Sequence, residues 1–282
     1  MRAVTMQCEL DKAMIHYEER GQGRPIVFLH GWTLDCRLEL VDYEPFFESR
    51  GGWRRLYPDL PGMGRSMAKA GLANQDDMLE AVLAFIDRVV GCERFVLAGT
   101  SLGGYLARAV AVRRRASVAG LLLRMPCVIA DTTRRTLPTF EPLVRDDALV
   151  ATVPVEEQTA LGNVLVQTPG YLAAARQKAR SLYQPAIAAT APIVNEMRAD
   201  PRRYGLSFDL AAEERGFTAP TLIIAGRQDT TVGYRDTLAI LESYPRATLA
   251  VLDSADHSWP VETPNLLAPL VDDWLRRIDL AE

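Results

Sequence analysis

The twelve residues Val96–Ala107, VLAGTSLGGYLA, constrain this chain more than any other stretch. An apolar run with the look of a strand reaches Gly99, and a helix-forming segment starts at Leu102. Only a sharp turn joins two such elements over so few residues, and Ser101 stands at its tip. A serine held clear of its neighbours on a strained strand-to-helix turn becomes a nucleophile once a base lies beside it. Gly99 and Gly103 occupy the positions where side chains would collide as strand and helix cross. The pattern G-x-S-x-G by itself is weak, but its place after an apolar strand and before a helix, with Gly104 following, makes it specific. The backbone N–H of Leu102 would sit at a helix N-terminus, where the dipole favours negative charge. That suits the oxyanion of a tetrahedral acyl intermediate, provided a second donor faces it.

Such a turn needs a sheet around it, and the rest of the chain supplies one. AVTMQCEL, AMIHYEE, PIVFLH, WRRLYPD and RFVLAG read as strands in the first half, and VAGLLLRMP as a buried parallel one. Between the fourth and fifth of these, Leu79, Val82, Leu83, Phe85, Ile86 and Val89 make the stripe of an amphipathic helix, and another helix is expected over Leu102–Arg114. Strands alternating with helices imply right-handed crossovers and a doubly wound, mostly parallel α/β sheet.

The rhythm breaks from about Asp131 to Gly216, where alanine-rich helical segments alternate with prolines at 138, 142, 154, 169, 185, 192 and 201. It resumes with PTLIIAGRQD, a helix near Tyr234–Ser243, the run ATLAVLD, and a last helix bearing Leu266, Leu267, Leu270, Val271, Trp274, Leu275 and Ile278 on one face. The expected division is therefore a core of residues 1–130 and 217–282 interrupted by a helical cap, 131–216. An insertion entering and leaving one sheet at strand ends lies over the place where open α/β sheets bind ligands.

With 282 residues and 48% hydrophobic content, the chain can bury a full core. A net charge of −4 leaves no basic surplus for a nucleic acid partner, and the Arg113–Arg115 cluster suits the solvated end of a helix. No run of about 18 apolar residues offers a membrane span, and polar residues interrupt the N-terminal stretch where a signal peptide would be apolar. The chain reads as cytoplasmic. Cys8, Cys36, Cys92 and Cys127 lack the spacing of a zinc site or a disulfide framework.

HGW after the PIVFL strand, PDLPGMGRS, GTSLGG, GRQD and DHSW, in that order, resemble the α/β-hydrolase fold superfamily over about Ala13–Ile278. The resemblance implies an eight-stranded sheet, a nucleophile–acid–histidine triad in that chain order, and a helical cap after the sixth strand. It places the second oxyanion donor at the Trp32 N–H and gives His30 a supporting role in that loop.

The base must be an imidazole, and the chain holds three histidines. His16 falls inside an early strand and reads as structural, which leaves His257, in the loop where the family carries its catalytic histidine. Family members often have glycine just before it; here Asp256 stands there and can bond nearby backbone. Asp229 matches the usual acid position, with Asp131 and Asp253 as competitors. Asp59 and Arg65 read as shaping their loop. Trp32 and Trp259 flank the expected site as candidate pocket residues, although either position also suits a core. In the cap, Arg134, Arg135, Tyr171, Tyr183 and Asn195 are candidates to meet substrate.

These parts describe a serine hydrolase that cleaves a small carboxylic ester through an acyl-enzyme on Ser101, with Asp229 and His257 completing the triad and no metal or organic cofactor required. Serine at the nucleophile argues against relatives that carry aspartate there. The same triad serves perhydrolases, lactonases and carbon–carbon hydrolases, and the fold also hosts non-catalytic ligand sensors. A small-molecule substrate is the expected partner. The apolar face of the cap fits closure either on the core or on a second subunit, so oligomeric state stays open.

Overall fold

The computed structural model describes residues 4–155, 157, 164–261 and 264–281. Residues 1–3 and 262, 263 and 282 of the expected core, and 156 and 158–163 of the expected cap, lie outside the described residues. All eight expected runs form strands: β1 Val4–Glu9, β2 Ala13–Arg20, β3 Arg24–Leu29, β4 Trp53–Pro58, β6 Phe95–Thr100, β7 Val118–Arg124, β8 Thr221–Gly226 and β9 Ala247–Leu252. A ninth, β5 Met67–Ala68, pairs with β2 and is too short for any periodicity to reveal. The sheet runs β1-β2-β4-β3-β6-β7-β8-β9. β1 and β2 are antiparallel to their neighbours, and every pair from β4 to β9 is parallel.

Helices cover both faces of the central strands, so β6, β7 and β8 are buried along their whole length. Helix α2, Gln75–Val89, starts at a reciprocal cap in which Asn74 Oδ1 accepts the Asp77 N–H and Asp77 Oδ2 accepts the Asn74 N–H. Its expected stripe faces the core through Leu79, Val82, Phe85 and Ile86. The C-terminal helix Leu267–Asp279 buries Leu267, Val271, Trp274, Leu275 and Ile278, each contributing about 2 kcal/mol when removed from water. Its docking is close enough that a Cβ on Gly120 of β7 would lie 2.2 Å from Ile278 Cδ1.

Helix α1, Cys36–Phe47, has no counterpart in the sequence reading. Asp35 caps it by accepting the Arg37 N–H, but its inner face carries Glu39 and Asp42. These carboxylates meet Arg124 at the end of β7, whose Nη1 donates to Asp42 at 2.6 Å and whose Nη2 lies 3.4 Å from Glu39. This buried charge network lies beside the apolar stripe Cys36, Leu40, Tyr43 and Phe47, which packs into the core.

The segment between β7 and β8 contributes short helices, among them Pro169–Lys178, Gln184–Ala189, Pro192–Ala199 and Pro201–Tyr204. Prolines fall in the first turn of all four, where the missing N–H has no helical partner to lose. The chain returning toward β8 is tied to helix α3, Leu102–Arg113, through Arg108. Its Nε and Nη2 each donate to Glu214 at 2.8 Å, and Tyr244 Oη donates to the same carboxylate at 2.6 Å. Both charged partners are buried, so removing one would strand the other at a cost of about 3–5 kcal/mol.

Candidate active site

The C-terminal ends of β6, β8 and β9 bring three residues together. Ser101 follows β6 with φ 54° and ψ −114°, a left-handed conformation that costs an L-residue on the order of 1–3 kcal/mol. The turn is held by its surroundings: the Ser101 N–H donates to Arg124 O, and the Ser101 carbonyl accepts from the Cys127 and Tyr105 N–H groups. A Cβ on Gly99 would lie 2.2 Å from Gly103 O, and one on Gly103 would lie 2.0 Å from Leu29 O. Close backbone crossing therefore requires both glycines.

Asp229 lies just past β8 and is 1% exposed. Its Oδ1 accepts the N–H groups of Thr231 and Val232 at 2.8 and 3.0 Å, and its Oδ2 lies 2.8 Å from His257 Nδ1. Burial alone would raise this carboxyl, but the imidazole and the two backbone donors hold it below the usual range. On the other side of the ring, His257 Nε2 lies 3.0 Å from Ser101 Oγ. The hydrogen bonds thus run without a break from Asp229 through His257 to Ser101. Asp256 bonds backbone, accepting the Ser258 N–H at 2.6 Å. The competing acids are engaged elsewhere or open to solvent: Asp131 is partly exposed and holds Thr133, and Asp253 is exposed.

The Trp32 N–H has no acceptor among the described residues, and Leu102, as the first residue of α3, has none within its helix. His30 pins the Trp32 loop. Its Nε2 accepts the Leu60 N–H at 2.8 Å and its Nδ1 donates to Gly31 O at 2.7 Å, and burial lowers its pKa, which keeps it neutral.

A cavity of about 200 Å³ opens beside Ser101 and His257. Trp32 and Trp259 both line it, and Trp32 meets Tyr204 edge-on at 5.0 Å. Of the other candidates, Arg135 and Tyr183 reach the cavity, whereas Arg134, Tyr171 and Asn195 do not line it. Sequence reasoning missed Arg124, Lys178, Ile187, Arg198 and Tyr204, which also line it. The helices that carry the last four are too short to show which face turns inward.

His16, Cys36 and Asp59 are the one grouping of metal-ligating types among the described residues. The group does not suit an ion: the Asp59 oxygens already accept from Cys36 N–H, Arg65 N–H and His16, and burial pushes the Cys36 thiol far up.

Residues 26–270 match the family described as the Alpha/beta hydrolase family. The chain belongs to the alpha/beta hydrolase family. Among curated relatives, the pimeloyl-[acyl-carrier protein] methyl ester esterase of Nitrosomonas europaea is 31% identical over 258 residues, 87% of this chain and 93% of that protein. The enzyme of the same name from Shewanella sp. strain MR-7 is 33% identical over 121 residues, so the match spans 42% of each chain. Among solved structures, an alpha/beta superfamily hydrolase from Oenococcus oeni PSU-1 superposes with a TM-score of 0.82 at 26% identity, over 94% of this chain and 96% of that one. This hydrolase has no described helix long and apolar enough to cross a membrane.

Proposed function

We propose that this hydrolase cleaves a small carboxylic ester through an acyl-enzyme on Ser101. The observation that carries the reading is the continuous hydrogen-bonded chain Asp229–His257–Ser101 at the wall of a cavity. His257 Nε2 takes the Ser101 proton as Oγ attacks the ester carbonyl, and Asp229 stabilises the imidazolium. The Trp32 and Leu102 N–H groups receive the oxyanion. His257 then protonates the departing alcohol, and a water activated by the same ring releases the acid.

Residues 131–216 act in this reading as a cap that shapes the substrate space. Support comes from Lys178, Tyr183, Ile187, Arg198 and Tyr204, all from that segment and all lining the cavity. Trp32 and Trp259 supply apolar contact to the acyl group.

The test is turnover of a short-chain p-nitrophenyl ester, run beside Ser101→Ala and beside labelling by a fluorophosphonate. Steady release of p-nitrophenol that disappears in the variant, with labelling confined to Ser101, is the expected result. Turnover that survives in Ser101→Ala would remove the acyl-enzyme, and labelling without turnover would favour a ligand-sensing protein on this fold.

A further inference from the structure

The charges around the cavity are one-sided. Arg124, Arg135, Lys178 and Arg198 line it, and among the described residues no aspartate or glutamate does. Two of these cations are accounted for. Arg124 is neutralised by Asp42 and Glu39, and Lys178 donates to Ser258 O at 3.1 Å with its charge acting on Glu39.

The other two are not. Arg135 donates from Nε to Ile129 O, from Nη1 to Thr231 O, and from Nη2 to Ala130 O and Cys127 Sγ. Every hydrogen-bond partner is neutral, so the guanidinium is fixed in place without an ion pair; Asp131, a partly exposed carboxylate that its field reaches, holds Thr133 instead. Of its five N–H donors, one on Nη1 is still unused. Arg198 lies over the Trp32 ring at 5.7 Å and has no hydrogen bond or ion pair among the described residues. Both guanidinium groups line the same cavity as Cys127 and Tyr204, and both charges act on those two side chains. A fixed, unpaired guanidinium at the edge of a small aromatic cavity is a receptor for a planar anion such as a carboxylate.

We propose that Arg135 and Arg198, beside Tyr204, form an anion subsite that selects esters carrying a free carboxylate at the end remote from the scissile bond. The inference rests on the reading of Ser101 as the reacting residue. The cavity is smaller than the roughly 300–1,000 Å³ typical of sites for drug-sized ligands, so the fitting class is the half-ester of a short dicarboxylic acid. Ser101 Oγ bonds to the ester carbonyl carbon, the carbon–alkoxide bond breaks with the proton going to the alcohol, and water then cleaves the acyl-enzyme to release the dicarboxylate.

Monomethyl glutarate and methyl pentanoate have acyl chains of equal length and differ in the terminal carboxylate. Their kcat/KM values, read by acid release in a pH-stat, give a discrimination ratio. Arg198 is exposed to solvent, so the expected ratio in favour of the half-ester is about tenfold, at the lower end for a charged hydrogen bond. In Arg198→Gln the ratio should collapse toward one, with Arg198→Lys retaining part of it. Arg135→Gln should act in the same direction; because Arg135 also ties four loop groups together, its result is read only if the variant melts like the parent chain, and Arg198→Gln otherwise stands alone. Equal turnover of the two esters by the parent chain would overturn the anion subsite and leave the hydrolase standing. If neither ester is cleaved and Ser101 resists the fluorophosphonate, the hydrolase reading fails, and calorimetry of monomethyl glutarate on Ser101→Ala decides the subsite. Binding that Arg198→Gln abolishes supports it, and absence of binding overturns it.

Discussion

The molecule contains two histidine–aspartate pairs built on the same local chemistry. His16 Nδ1 lies 3.0 Å from Asp59 Oδ2, and His257 Nδ1 lies 2.8 Å from Asp229 Oδ2. Each aspartate is 1% exposed and accepts two backbone N–H groups as well. The pairs differ at the far nitrogen. His16 Nε2 is buried without a partner and the side chain is 4% exposed, whereas His257 Nε2 meets Ser101 Oγ and its side chain is 25% exposed at the cavity. A paired imidazole becomes a candidate base only where a nucleophile and a route for substrate reach its second nitrogen. At His16 the same bond serves to fix the β2 strand against the loop that follows β4.

The sharpest way to break this comparison is to remove each histidine. His257→Ala should lower kcat on an accepted ester by about 10⁶-fold while its melting temperature stays close to that of the parent chain. Steady-state kinetics and thermal melts on one preparation check both halves. Should His16→Ala produce the same kinetic loss with unchanged stability, the division of roles is wrong. Next in size, Asp229→Asn should cost about 10⁴-fold in kcat, because the amide favours the wrong imidazole tautomer; a loss under tenfold would remove Asp229 from the proton path.

Asp59→Ala carries the contrast to stability. It strands the N–H groups of Cys36 and Arg65 and the ring of His16, so urea melts should show a loss of about 3 kcal/mol, with turnover per folded molecule little changed. The smallest expected effect is in acid. Burial works against the ionised Asp59, yet the His16 bond and the two backbone donors prevail and bring its pKa down from 3.8 to about 2. The sign follows: the stabilisation is complete above about pH 4 and is lost as pH falls toward 2, an amount of about 2 kcal/mol. Denaturant melts of Asp59→Asn should therefore decline less steeply between these pH values than those of the parent chain. Parallel declines would mean that Asp59 is not held in its ionised form.

Where a residue's role left a mark on its neighbours in the chain, the sequence displayed it. The buried strands are continuous apolar runs, and the Ser101 turn is bracketed by glycines whose need the backbone crossings explain. Asp229 and His257 stand out by their positions in loops after strands that match the family, and the structure brings both within hydrogen-bonding reach of one another. Sequence reasoning missed helix α1, although Cys36, Leu40, Tyr43 and Phe47 keep a helical spacing; what the sequence hid there is the burial of Glu39 and Asp42, which depends on Arg124, a residue 82 positions from Asp42. Arg198 and Lys178 were hidden for a related reason. On short helices with weak stripes, an arginine facing a cavity and one facing water look alike, and only the fold tells them apart. The resemblance to a known family implied an order for the candidate triad but nothing about these cations.

The tie between Arg108 and Glu214 spans 106 residues of chain, and Tyr244 arrives 30 residues later still. Synthesis at about 5–20 residues per second delivers Arg108 several seconds before its counter-ion leaves the ribosome. During that interval the helix that begins beside Ser101 carries a guanidinium meant for the interior with no carboxylate to receive it. Chains arrested before residue 214 should therefore collect in the insoluble fraction while the full chain remains soluble.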